Sequence, residues 1–231
     1  MYQYSLGLAL YDYIPVLLFA TGLFYLTKTV RQLAPRFTQA ATVGAVLITI
    51  AGFIKASWKL VISQGVDGEA TIWMSNQLIP MMAAGFTILV YVLWATRREI
   101  ANNPVKTTAW RCPASAILLV LGASAYLGLT KDGKGWFFIA LTMLTVSNFI
   151  MAIHAFKLSR SQGTTVAASL FILNFILVLV MSGLGRALPP GESSQWIAQF
   201  ANTFTQGTLA LAAWMLYKQV TEPQSLTTAR A

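Results

Sequence analysis

Two lysines, Lys55 and Lys59, stand inside a run of otherwise apolar residues. An ionisable group placed inside lipid is costly, so it turns toward the interior of a bundle and meets a partner or a ligand there. Four residues apart, the two lysines share one face of a helix. Asp12, in the run Tyr11-Asp12-Tyr13, is the single carboxylate in the apolar segments delimited below. An ion pair between Asp12 and Lys55 or Lys59 lowers the cost of burying each. Lys59 is close enough to its segment's end to reach the boundary by its own length, whereas Lys55 lies deeper. Amides gather at the same depth: Asn76 and Gln77 in one segment, and Gln199, Asn202 and Gln206 in another, with Asn202 and Gln206 on one face. Two cations against one carboxylate predict a polar cavity for a polar or anionic ligand. The same residue types also serve as glue between helices, and Asp12 also suits a wet boundary position.

No other grouping suggests chemistry. The chain has no Gly-rich phosphate loop, no Gly-x-Ser-x-Gly and no His-Glu-x-x-His. His154 is the one histidine, and a lone imidazole without a cysteine partner is poor material for a metal site. Asn148, His154 and Asn174 occupy the sparser opposite half. The expectation is therefore a protein without catalytic residues, cofactor or metal, and not an enzyme. Cys112, the single cysteine, falls at a loop edge where its role is structural. Pro80 removes one backbone hydrogen bond within its segment and bends the helix beside the cavity.

The elements that must position these residues follow from hydropathy. Apolar residues make up 56% of the chain and charged residues 10%, too few to skin a soluble globule. Seven segments approach the roughly 20 apolar residues that cross a bilayer: residues 9–26, 42–63, 72–95, 113–129, 136–156, 165–184 and 196–217. Lipid requires each to satisfy its own backbone, so each is a helix. The fold class is all-α: a single seven-helix membrane bundle with lipid as its surroundings. Basic residues then orient it. Lys28, Arg31, Arg36, Arg97, Arg98, Lys106, Arg111, Lys157, Arg160, Lys218 and Arg230 fall on one side, against Lys131, Lys134 and Arg186 on the other. The other side also holds Asp67, Glu69, Asp132 and Glu192. The basic side is cytoplasmic, which puts the N-terminus outside, the C-terminus inside and the cavity in the outer half. The net charge of +9 reflects this orientation and not a nucleic-acid partner. The first ten residues lack Lys and Arg, so the first helix is expected to be retained. Absence of any glycosylation sequon suits a bacterial inner membrane.

Helices one to three overlay five to seven at an offset of 123 residues, pairing Val43 with Val166, Leu47 with Leu170 and Trp73 with Trp196. What matches is hydropathy and loop length, which any seven-helix chain with short loops would share; if the overlay is a true repeat, the expectation is a 3+1+3 arrangement of parallel repeats, as some transporters have. In architecture it resembles the SWEET sugar transporters, which use asparagines of the third and seventh helices at the sugar site, where Asn76 and Asn202 stand. It departs from them in the first helices of the repeats, where Pro15 overlays Phe138. The topology also resembles microbial rhodopsins. Those carry a retinal lysine in mid-helix seven, but here that helix has no lysine before Lys218. The leading expectation is a small-molecule transporter with an outward-facing cavity. The alternatives are a retinal-free sensor or receptor, and a non-catalytic subunit or assembly factor with a membrane-protein or homo-oligomeric partner.

Overall fold

The computed structural model describes residues 4–131, 133–189 and 191–222, leaving aside the side chain of Arg186. Asp132 and Arg230, assigned above to opposite sides, lie outside the described residues. All regular structure among these is helical: α1 (Leu6–Tyr11), α2 (Tyr13–Leu33), a 3-10 turn (Pro35–Phe37), α3 (Thr38–Ser63), α4 (Ile72–Asn76), α5 (Leu78–Ile100), α6 (Arg111–Thr130), α7 (Gly135–Ser161), α8 (Thr165–Ala187) and α9 (Glu192–Thr221). Six segments are long and apolar enough to cross a membrane, with α1 and α2 counting as one and α4 and α5 as another. This is a polytopic membrane bundle. The 30-residue α9 has the length of a span but more polar residues than the others.

Two of the spans are interrupted for the same reason. Asp12 separates α1 from α2, and Gln77 separates α4 from α5; both keep helical backbone angles. Pro15 and Pro80 each follow the break by three residues. Proline has no N–H and its ring crowds the carbonyl four residues back. Those carbonyls belong to Tyr11 and Asn76, the last residues of α1 and α4. The expected bend at Pro80 therefore lies at Gln77.

The spans pack in an order that closes on itself: α2 on α3, α3 on α5, α5 on α7, α7 on α8, α8 on α9, and α9 back on α2. Helix α6 stands outside this ring, against α7 and α5. Its leucines have little protein to meet; Leu129 is 88% exposed. Such side chains face the bilayer, which covers apolar surface as a protein core does. Without a hydrophobic drive between helices in lipid, close van der Waals approach matters. At the α3–α5 crossing, a Cβ added to Gly85 would sit 2.7 Å from the Gly44 carbonyl oxygen and 2.5 Å from Ile48. Gly122 has no such neighbour: nothing lies within 4 Å of its added Cβ, because that position is on the peripheral α6. Cys112 lies within α6 and is exposed.

Candidate functional site

The break at Asp12 places a carboxylate where the chain enters the ring, level with the last turns of α3. Both its oxygens lie 3.0 Å from the Lys59 ammonium. Asp12 is 6% and Lys59 9% exposed, so the pair is shielded on nearly all sides. Burying two charges costs several kcal/mol each, a cost their attraction offsets only in close geometry. A hydrogen bond of 2.9 Å between the hydroxyls of Tyr13 and Ser57 ties α2 to α3 nearby. The shallower lysine is thus the one that is buried and paired.

Lys55, one turn deeper, takes other partners. Its ammonium donates to the Ser75 hydroxyl of α4 at 2.5 Å and lies 3.9 Å from the centroid of the Trp58 ring. Both interactions are favourable for a cation, but neither neutralises it. Among the described residues Lys55 has no ion-pair partner. The ion pair and Lys55 front a partly open chamber of about 300 Å³ lined by α2, α3, α5 and α9. Helix α9 contributes Gln199, Asn202 and Gln206, whose spacing of three and four residues puts them on one face. The Gln206 amide donates to the Asn202 carbonyl oxygen at 3.1 Å. Gln199 is 5% exposed, and its Oε1 has no hydrogen-bond partner among the described residues. A buried acceptor left unbonded costs about 1–3 kcal/mol.

A second cavity of about 210 Å³ continues deeper into the ring and shares Phe19, Met82 and Gln206 with the first. Its wall is mostly apolar, with Asn148, Asn174 and Thr145 among the exceptions. Asn174 acts as glue: its amide donates to the Thr205 backbone carbonyl at 2.7 Å, joining α8 to α9.

Of the seven residues expected at the site, Asp12, Lys55, Lys59, Asn202 and Gln206 line the chamber. Asn76 and Gln77 are exposed and do not line it. The proline-induced break turns α4 so that Ser75, not Asn76, meets Lys55. Gln199 had a readable signal, the polar face it shares with Asn202. Ser75 had none, because a single serine in an apolar segment is unremarkable until the break is seen. His154 lies outside this site, with Nδ1 2.9 Å from an Arg97 guanidinium nitrogen. Guanidinium only donates, so Nδ1 accepts and the ring is neutral with its proton on Nε2. No cluster of three or more His, Cys, Asp or Glu comes together among the described residues.

Fold and site together define an integral membrane protein with a charged chamber inside a helical ring. No family model matches the chain, and no solved structure does. Among curated proteins it is similar to the protoheme IX farnesyltransferase of Rhodopirellula baltica, with 26% identity over 176 residues. That match covers 69% of this chain and 58% of the relative, so the chain spans less than two thirds of that protein's length. The relative is an enzyme. This finding overturns the expectation of a protein without enzymatic activity, and it lends no support to transport or reception.

Proposed function

We propose that the chamber binds the anionic head of an amphiphile whose apolar tail enters the deeper cavity, and that the chain acts on this ligand as a membrane enzyme. One observation carries the reading: the chamber holds two ammoniums and one carboxylate, and the carboxylate is committed to Lys59. Buried charge is ordinarily neutralised, so the Lys55 end is short of one anion. The mostly apolar cavity beyond Phe19 and Met82 suits a hydrocarbon tail. The similarity to a farnesyltransferase favours an isoprenoid carried on an acidic group.

The chain's own residues have separable tasks. Lys55 holds the head, with Ser75 and Trp58 fixing its ammonium. The Asp12–Lys59 pair supplies field and keeps α3 in register with α2. Cation-bridged phosphates draw on one or two free carboxylates; Asp12 is engaged by Lys59, so the donors present suit a head held by ammonium. The reading also takes the seven-span topology, with this chamber facing outward from a bacterial inner membrane. The parallel 3+1+3 repeat belongs to it, supported by the position of α6 outside the ring. Transport through the same chamber keeps one observation in its favour, the succession Gln206, Asn174 and Asn148 along the deeper cavity.

The test uses farnesyl diphosphate and farnesol on purified protein. Farnesyl diphosphate is expected to raise the unfolding temperature of the wild type, farnesol to raise it far less, and Lys55→Met to remove the difference. Membranes containing the wild type should also convert labelled farnesyl diphosphate to a covalent product that Lys55→Met membranes do not form. Equal shifts for both compounds, or an undiminished shift in Lys55→Met, would remove the head-group role. Uptake of unmodified label into vesicles would replace the enzyme with a transporter.

A further inference from the structure

A separate groove runs along the outside of the ring between α2 and α3, with a volume of about 630 Å³. It exists because the facing positions are small: Ala20 and Thr27 on α2, and Thr42, Ala45 and Thr49 on α3 leave space that larger side chains would close. From Thr38 to Phe53 it follows sixteen residues of α3, about 22 Å at the rise of a helix. That is more than the ~15 Å depth of one leaflet.

Its two ends differ in chemistry. Toward mid-span the lining is apolar, with Phe53 and Ile50. At the other end, beside the turn that joins α2 to α3, Lys28 and Arg31 line the groove. Neither forms an ion pair with any described residue. Thr27 and Thr38 line the same end, with their hydroxyl oxygens buried in its wall. Two cations without an ion-pair partner among the described residues, at the mouth of a mostly apolar slot longer than one leaflet is deep, match an anionic head above an acyl chain. Basic residues near a membrane surface attract anionic lipid by about 1 kcal/mol each, roughly fivefold in affinity.

We infer that this groove is a specific site for one anionic phospholipid: its phosphate lies between Lys28 and Arg31, and one acyl chain lies along α3. The inference is independent of the chamber and of any activity there.

The experiment counts lipids retained by the detergent-purified protein in native mass spectrometry, with phosphatidylglycerol and phosphatidylcholine of identical chains. The wild type is expected to retain one phosphatidylglycerol with roughly 30-fold preference. Lys28→Gln/Arg31→Gln should lose that preference while still taking up either lipid weakly. Thr42→Trp, which fills the slot from an exposed position, should lose retention of both. Lys55→Met should retain phosphatidylglycerol as the wild type does, which separates this site from the chamber. Equal retention of the two lipids by the wild type overturns the inference, as does a preference that survives Thr42→Trp. Should the double variant fail to fold, the wild-type preference and Thr42→Trp decide.

Discussion

Helices α2 and α3 meet twice, and the two meetings differ in almost every respect. At the Asp12 end they are drawn together by an ion pair and a hydroxyl contact, and Gly52 lets Val16 approach within 3.2 Å of where a Cβ would stand. At the Lys28 end they part around a groove whose cations form no ion pair with a described residue. The contrast shows what depth does to charge. Inside the ring a lysine without a counter-charge is expensive, so Lys59 is locked to Asp12. At the bundle's periphery, water or a lipid head supplies the partner, so Lys28 and Arg31 need none from the chain. Lys55 falls between these cases, and that position is why the chamber reads as a ligand site.

The largest expected effect breaks the inner meeting. Asp12→Asn strands the buried Lys59 and should cost about 3–5 kcal/mol of stability, as loss of one partner of a buried pair does. Adding Lys59→Met should restore most of it, a non-additivity visible in a double-mutant cycle of denaturant unfolding. If the two changes simply add, the pair does not hold the helices together. A smaller effect is expected from bulk. Gly52→Leu should destabilise by about 1–3 kcal/mol through overpacking against Val16. The matching Thr42→Leu, in the groove, should stay within about 0.5 kcal/mol; comparable losses at both positions would erase the difference in packing. The smallest effect is at Lys55. Lys55→Met should change stability by less than about 1 kcal/mol, since a hydroxyl and a ring remain where no carboxylate is stranded. A loss as large as that of Asp12→Asn would make Lys55 a structural residue.

The spans were legible because crossing a bilayer imposes a length and a composition that few sequences meet by accident. Five of the seven expected segments lie within a single helix, and the segments 9–26 and 72–95 are each divided between two helices at Asp12 and Gln77. The charged and amide residues of the chamber were legible as costly groups at one depth. Their pairing was not. Asp12 could meet either lysine on the shared face of α3, and only the level at which α1 gives way to α2 selects Lys59. Asn76 and Gln77 carried the right chemistry, but a proline three or four residues on sets the local turn, and they point away. The expectation of a protein without enzymatic activity failed for a different reason. It rested on motifs built from nucleophiles, metals and Gly-rich loops, and a farnesyltransferase matched the chain without any of them.

What the residues alone determine is the solvent: an apolar chain whose charges, Asp12, Lys55 and Lys59 apart, gather outside its long apolar runs belongs in lipid, and its backbone must be helical there. What required the tertiary structure is adjacency. The ring order that leaves α6 outside, the partner chosen by Lys59, the orphaned oxygen of Gln199 and the slot between α2 and α3 all depend on which helix faces meet. In lipid, where apolar faces have no strong preference for one another, that choice rests on a few close contacts and polar pairs spread along the whole chain.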